Sequence, residues 1–435
     1  MDWKEIYKQK LVTAEEAVKI VKSGDRIYTG TASSTAYGLL DALWERRHEL
    51  EDVTLCGSNG YQYTPCYYEK DDNPFRFSAY FIGVNERAAM KAGRPVDFTS
   101  VHLSFSDKWL EFIAKPDICF LEVSKPDKYG YVSFGPSNVA IGTNLLKVSK
   151  VVIAQVNSYT PYVFGDHNLV HISELDYIVE KDVPYANYKT SEPDEISTQI
   201  ASHILKEIPD GATFQLGIGN ISTAIGYGLK DKNDLGVHTE LLNQPMIELM
   251  KSGNITNKYK GYMNGKSTYS FAVGAPSMYE ELDYNPKYYA LPFYVTNDPR
   301  IIAQNKNMIS INSAMAINIF GEVCADCINW KQQSGTGGQV DFVKGAQWAE
   351  GGKSIIATQS SIIKNGKRIS KILPFFEPGT VVTTARSDVQ YVATEYGCYN
   401  IKRMTMRERI EAIISLAHPD FREELRAEAK KHGFI

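Results

Sequence analysis

Hydrophobic and polar positions alternate along this chain as short apolar runs, glycine turns and amphipathic stretches, the pattern of strands interleaved with helices. Trp3 to Lys22 is expected to be helical, because Thr13-Ala-Glu-Glu16 has the form of a capping box ahead of Ala17, Val18, Ile20 and Val21. Strands are predicted at Asp117–Val123, Tyr131–Phe134, Val151–Val156, Phe214–Ile218, Leu235–His238, Tyr269–Gly274, Tyr294-Val295, Ile309–Ile311, Lys353–Ala357 and Val381–Thr384. Glu195–Glu207 predicts an amphipathic helix, and Thr405–Phe434 a helical stretch. The polar segment Asp182–Glu195, with Pro184 and Pro193, reads as a linker. It separates an N-terminal domain, 1–185, from a C-terminal domain, 186–435.

One pattern occurs twice. Gly24-Asp-Arg-Ile-Tyr-Thr-Gly30 continues through Ser-Thr-Ala into an apolar, glycine-containing helix ending near Leu40. Gly211-Ala-Thr-Phe-Gln-Leu-Gly217 does the same to Leu229, with one extra residue in its turn. This predicts two related open α/β domains, an internal duplication, with a single active site between them. The copies differ downstream. The first runs on as Val53-Thr-Leu-Cys-Gly-Ser-Asn-Gly60 without a carboxylate, whereas the second delivers Glu240.

Composition narrows the function classes. With 435 residues, 43% hydrophobic and 23% charged, the chain has the make-up of a soluble globular protein with room for two or three cores. A formal charge of −4 offers no general attraction to nucleic acid. The absence of a long apolar run or a leader points to a cytoplasmic protein that does not engage a membrane. The aromatic load, Tyr 27 and Phe 18, suggests broad aromatic packing or a subunit interface. Six cysteines make no disulfide framework, and the lone Cys324-Ala-Asp-Cys327 lacks the second half of a zinc site, so free thiols and no metal are expected.

The candidate chemistry centres on Phe214–Gly253. Gly217-Ile-Gly219-Asn-Ile-Ser222 approaches a dinucleotide-binding turn, and Glu240 follows about twenty positions on, where such folds hold a ribose. Ser222, however, stands where the third glycine belongs, so an NAD-dependent oxidoreductase is the weaker reading, beside a plain βα turn with a surface glutamate. Asn220 or Ser222 could cap the helix after the turn. Ser334-Gly-Thr-Gly337-Gly338 strips side chains from three of four positions in Gly-Thr-Gly-Gly, so backbone N–H groups can converge on an anion or oxyanion. The Gln339-Val-Asp-Phe342 that follows alternates in a strand-like way. His238 shares the strand face of Glu240 and is expected to be a packed, hydrogen-bonded histidine, as Glu395 is expected to be a paired structural carboxylate.

Taken together, GIGNIS at Gly217–Ser222, LGVHTE ending at Glu240, INSAMAINIFG from Ile311, SGTGGQVDFVKGA from Ser334, VATEYG from Val392, AHPDFR from Ala417 and the opening Met1–Tyr7 resemble the acetyl-CoA hydrolase/transferase family. Within it they are most similar to the 4-hydroxybutyrate and butyryl-CoA:acetate CoA-transferase branch of the family I CoA-transferases, along essentially the whole chain. The resemblance implies that Glu240 attacks an acyl-CoA thioester, passing through an acyl-glutamyl anhydride and a glutamyl-CoA thioester. It implies that Gly337 and Gly338 supply oxyanion donors, that Asn312 orients the glutamyl adduct, and that Gly217, Ile218, Gly219, Asn220, Ile221, Asn312, Gly337 and Ser360 lie along CoA. It further implies CoA as substrate with no tightly bound cofactor, a short-chain carboxylate partner, and a homodimer or larger assembly. A hydrolase using the same glutamate is the alternative. Leu241-Leu-Asn-Gln244-Pro245, Ser222-Thr223 and Gly30-Thr-Ala-Ser-Ser-Thr35 depart from the family pattern near the expected acyl pocket and leave the choice of acid open.

Overall fold

Runs of β-branched and aromatic residues build two separate, mainly parallel sheets in the computed structural model, which describes residues 2–58, 60–188 and 192–435. The chain divides into two compact units, Met1–Lys189 with Leu242–Gln244 and Thr268–Thr296, and Thr190–Leu241 with Pro245–Ser267 and Asn297–Ile435. Residues 189–191 of the expected linker lie outside the described residues.

The first unit carries a seven-stranded sheet made of β1 (Arg26–Thr31), β2 (Val53–Ser58), β3 (Phe75–Ala79), β4 (Val96–Phe98), β5 (Ile118–Val123), β6 (Val151–Val156) and β7 (Tyr177–Glu180), in the order β4-β3-β2-β1-β5-β6-β7. All of its pairings are parallel, and β5 is buried at every residue, as expected of a strand covered on both faces. Helix α1 (Trp3–Lys10) precedes the capping box, in which the Thr13 hydroxyl accepts from the Glu16 N–H at 3.2 Å and Glu16 Oε2 from the Thr13 N–H at 3.1 Å. Helix α2 (Tyr37–Glu45) turns Tyr37, Leu39, Leu40 and Leu43 onto a core with Ile27, Leu55, Phe77 and Phe120.

The second unit carries β8 (Thr213–Leu216), β9 (Gly236–Val237), β10 (Met308–Ser313), β11 (Lys353–Ala357), β12 (Tyr391–Thr394) and β13 (Gly397–Asn400), in the order β9-β8-β10-β11-β12-β13. Only the β12–β13 hairpin of this sheet is antiparallel. Helix α3 (Glu195–Ile204) begins where the Asp194 carboxylate accepts from the Ser197 N–H at 2.7 Å, and buries Ser197, Ile200, Ala201 and Ile204 at helical spacing. It packs against α4 (Asn220–Gly228). Short α5 (Pro299–Ile302) and α6 (Gln339–Trp348) meet through a cluster of Ile302, Phe342, Ala346, Ala349 and Met308. Helices α7 (Met406–Leu416) and α8 (Pro419–Lys431) close the core around Ile356, Val392, Ile410 and Ile413.

The two sheets start alike. In each, the first strand lies inside the sheet, the next joins one side, and a later strand joins the other side. This is the duplicated α/β design the repeat predicts. The chain course is less simple than one cut at 185. Residues 268–296 return to the first unit, where Ala272 O accepts from Ser33 Oγ at 2.9 Å and Ser137 Oγ at 3.3 Å, and Ala290 N–H donates to Phe164 O at 2.9 Å. Long-range returns of this kind leave no mark in local hydropathy. Three element predictions outside the candidate site also change. Tyr294-Val295 sits in a helical turn, Phe293–Thr296, rather than a strand. Val381 and Val382 are about half exposed, so nothing drives that run into a sheet, and only Thr384 makes a bridge. The final helical stretch breaks at Ala417, which is extended ahead of Pro419. Among the described residues no helix is long and apolar enough to cross a membrane. All six cysteines are free.

Near the end of β5, Glu122 is 1% exposed and accepts from Asn157 Nδ2 at 3.0 Å, Thr160 Oγ1 at 3.2 Å and Gln155 Nε2 at 3.3 Å. Burial outweighs these bonds and pushes its pKa up to about 7. A raised acid pKa means the folded state holds a proton the unfolded state has lost, so stability falls as pH rises from about 4.5 to about 7. Glu122→Gln removes that titration. Denaturant unfolding should show the variant gaining on the parent by up to roughly 3 kcal/mol across this window. A pH-independent difference would contradict the assignment.

Candidate functional site

In an open parallel sheet the crevice forms outside the carboxyl ends of the strands, where the chain reverses its direction of travel. In the second unit that point lies between β8 and β10. Gly217–Ile221, Glu240, Asn312, Gly337, Gly338 and Ser360 all belong to this unit, with Asn312 near the end of β10, whereas Leu242–Gln244 belong to the first unit.

The glycine turn leaves β8 with Gly217 N–H donating to Ile311 O at 3.2 Å, which ties the turn to β10. Ile218 is 47% exposed, an unusual place for a large apolar side chain, and Gly219 and Asn220 are exposed beside it. Helix α4 begins at Asn220 with Gly219 as its cap residue at φ 114° and no side-chain cap. Neither Asn220 nor Ser222 caps it. Ser222 is 3% exposed and Ile221 is half-buried. Asn312 on β10 forms a reciprocal amide pair with Gln215 on β8, Nε2 to Oδ1 and Nδ2 to Oε1, both 3.3 Å. Gln215 was not foreseen. It sits in an ordinary strand pattern, and only the β8–β10 register, which places Gln215 opposite Ser310, brings it near Asn312.

Glu240 follows β9 and is a part-exposed residue, while its carboxyl group is surrounded by protein. Two donors hold it. Asn297 Nδ2 donates to Glu240 Oε2 at 2.9 Å, and the Gly338 backbone N–H donates to the carboxylate. Dense protein around the group outweighs both donors and, with Asp341 adding negative charge, pushes its pKa up to about 7. Asn297 is fully buried, and its Oδ1 has no hydrogen-bond partner among the described residues, an uncompensated acceptor of the kind that costs about 1–3 kcal/mol. This residue went unread because it belongs to no periodic run. Asp298-Pro299 immediately after it is a helix-start signal, with Asp298 capping α5 through the Arg300 N–H at 2.8 Å, and that signal could have drawn attention to it.

The two glycines of the Gly-Thr-Gly-Gly turn are needed for different reasons. Gly337 has φ +60°, in the left-handed region. Gly338 has ordinary backbone, but a Cβ there would stand 2.0 Å from Asn297 Nδ2 and 2.2 Å from Glu240 Oε2. The strand expected at Gln339–Phe342 is instead the first turn of α6. Its apparent alternation arises because Val340 and Phe342 face apolar core while Gln339 and Asp341 are also buried, Gln339 bonding Ser313 O at 2.9 Å and accepting from Thr384 Oγ1 at 2.9 Å.

Two other residues are placed apart from Glu240's contacts. Ser360 is fully buried, with its Oγ donating to Glu395 Oε1 at 2.5 Å and its N–H to Oε2 at 2.9 Å. Its hydroxyl therefore ties a turn to Glu395, which is paired as expected. His238 is fully buried against the rings of Tyr262 and Phe342.

Residues 1–186 match the acetyl-CoA hydrolase/transferase N-terminal domain and residues 274–429 the acetyl-CoA hydrolase/transferase C-terminal domain. The 4-hydroxybutyrate coenzyme A transferase of Clostridium kluyveri is 39% identical over 99% of this chain and 100% of its own. The butyryl-CoA:acetate CoA-transferase of Anaerostipes caccae is 36% identical over 99% of this chain and 98% of its own. The crystal structure of RipA from Yersinia pestis superposes over 100% of both chains with a TM-score of 0.93 and 34% identity. Relatives named acetyl-CoA hydrolase stand further off, at 24% identity.

The two glycines give separable predictions. Gly337→Ala should lower the unfolding free energy by about 1–2 kcal/mol, the cost of a left-handed residue with a Cβ, measured by denaturant titration. Gly338→Ala should leave the backbone unstrained, yet its crystal structure should show the Asn297–Glu240 hydrogen bond broken. An intact bond in that variant would contradict the geometry.

Proposed function

The chain belongs to the acetyl-CoA hydrolase/transferase family, and we propose that it transfers CoA between a short-chain acyl-CoA and a free carboxylate such as acetate, with Glu240 as the nucleophile. The observation that carries this reading is Glu240, a part-exposed residue whose carboxylate is held by two donors, Asn297 Nδ2 and the Gly338 N–H. Family membership displaces the NAD-dependent reading of the glycine turn.

The chemistry follows from what a carboxylate does well. Glu240 attacks the thioester carbonyl carbon, the C–S bond breaks, and CoA leaves as thiolate, giving a mixed anhydride. The thiolate then attacks the glutamyl carbon, the C–O bond to the acyl group breaks, and the first acid departs, leaving a glutamyl-CoA thioester. A second carboxylate reverses the sequence. One difficult exchange becomes several easier ones because the anhydride is an activated acyl group. A pKa near 7 keeps a substantial ionised fraction at neutral pH while making the anion a better nucleophile than an ordinary carboxylate.

The two donors support a second role. With Oε2 held by Asn297, the other oxygen is the one placed to attack. Oε2 then becomes the carbonyl oxygen of the anhydride and of the thioester. When thiolate or acid adds to the glutamyl carbon, negative charge develops on that same oxygen. Asn297 and Gly338 are thereby oxyanion donors already in position, each worth about 2.7–4 kcal/mol in comparable sites. Gly337 sets the turn that aims the Gly338 N–H. The exposed Gly217–Ile221 turn would lie along CoA, with Ile218 offering apolar contact, and the Gln215–Asn312 amide pair would meet the amides of the pantetheine arm and orient the adduct. Ser360 would contribute through the turn it ties to Glu395. Self-association into a dimer or larger assembly is supported by Trp330, 80% exposed, and Ile363, 61% exposed, on the second unit.

Incubation with acetyl-CoA or butyryl-CoA followed by hydroxylamine or borohydride should leave a modification on Glu240, read by peptide mass spectrometry. Glu240→Ala should lose transfer by about a thousandfold or more. No adduct together with full activity in Glu240→Ala would sink the proposal. Release of CoA at the same rate without any acid acceptor would identify a hydrolase, and a panel of acids would name the acceptor.

A further inference from the structure

Helix α1 (Trp3–Lys10) buries none of its residues completely, unusual for a helix held against a parallel sheet. Instead of closing a core, its Trp3, Lys4, Tyr7 and Lys8 line a cavity of about 740 Å³ with residues that follow the carboxyl ends of β5, β6 and β7. Lys125 and Pro126 come after β5, Ser158 after β6, and Lys181 and Asp182 after β7. This space lies wholly within the first unit.

Four lysines line it, Lys4, Lys8, Lys125 and Lys181, and among the described residues none lies in an ion pair, while Lys4 Nζ stands over the Trp3 ring at 5.7 Å. Lys4 and Lys8 are one turn apart on the same helix, a like-charge spacing that works against the helix unless an anion answers it. The acids facing them are partly committed. Glu180 accepts from the Tyr7 hydroxyl at 2.8 Å, and Asp182 accepts from the Ser158 N–H at 2.7 Å, with Lys125 close enough to favour its ionised form. Lys181 also feels Asp41 and Glu15. The lining therefore carries four positive charges against two negative ones.

Both aromatic walls are fixed before any ligand arrives. The Trp3 indole N–H donates to Lys128 O at 3.2 Å, and Tyr7 is anchored on Glu180. A fixed indole and phenol beside clustered ammonium groups suit a ligand with a planar ring and several phosphate charges. We propose that this cavity binds a free nucleoside polyphosphate.

Calorimetry on the full chain with ADP and with adenosine 3′,5′-bisphosphate should show one saturable site, weakened by salt. The double variant Lys4→Glu/Lys8→Glu, on exposed positions, should bind at least tenfold more weakly with an unchanged circular dichroism spectrum. Trp3→Leu should weaken ADP but leave pyrophosphate unaffected. Binding that survives the charge reversals unchanged, or no binding at all, would overturn the site, and pyrophosphate binding as tightly as ADP would overturn the nucleotide assignment. The KM for acyl-CoA should be unchanged in the double variant, and a raised KM would overturn the assignment to a free nucleotide. The binding arm does not depend on the role proposed for Glu240, so a failure of either claim is distinguishable from a failure of the other.

Discussion

The second unit is arranged around one contest, between the cost of taking the Glu240 carboxylate out of water and the two hydrogen bonds that hold it. Hydrogen bonds to a charged acceptor contribute about 1.5–3 kcal/mol each. Asn297 and Gly338 supply two, and Asp341 opposes them. Desolvation still wins, so the carboxyl titrates well above its ordinary range rather than below it. That balance depends on distant parts. Asn297 is placed by the start of α5, Gly338 by the start of α6, and these helices are locked together by Ile302, Phe342 and Ala346. The missing Cβ at Gly338 is what allows three groups to share one small volume.

The duplicated design makes the contrast with the first unit informative. There, Glu122 near the end of the inner strand β5 is a second glutamate whose pKa burial pushes up to about 7, whereas Glu240 follows the edge strand β9. Glu122, however, is surrounded by three side-chain donors and is 1% exposed. It is sealed, whereas Glu240 is a part-exposed residue held by two donors. The same physical device, a carboxyl kept from water, therefore serves as internal framework in one unit and as candidate chemistry in the other. Exposure and the number of donors, rather than pKa, separate the two uses.

Much of this was legible in the sequence because the signals were local. The Thr13–Glu16 capping box, the Gly30 and Gly217 turns, and the apolar strands at Ile118–Val123 and Lys353–Ala357 can each be read within about ten residues, whereas Glu240, Gly337 and Gly338 were singled out by a resemblance that runs along the whole chain. What escaped depends on contacts distant in sequence. Asn297 reaches Glu240 across 57 positions and Gln215 meets Asn312 across 97, and no periodicity announces either. The return of residues 268–296 to the first unit is invisible for the same reason. Gln339–Phe342 misled in another way, since a helix buried on several sides loses its polar face and its pattern can mimic a strand. Ser360 was placed along CoA by the resemblance, and Glu395, 35 positions on, is the partner that occupies its hydroxyl.

The most direct test is the ionisation of Glu240 itself. Carboxyl-labelled glutamate followed by infrared or carbon NMR, with Glu240→Gln used to identify the Glu240 signal, would give its midpoint in the parent and in Asn297→Ala. The account predicts a midpoint near 7 in the parent, moving higher when the Asn297 donor is lost, because that bond favours the ionised form. A midpoint near 4.5, or one that does not move on loss of Asn297, would contradict it.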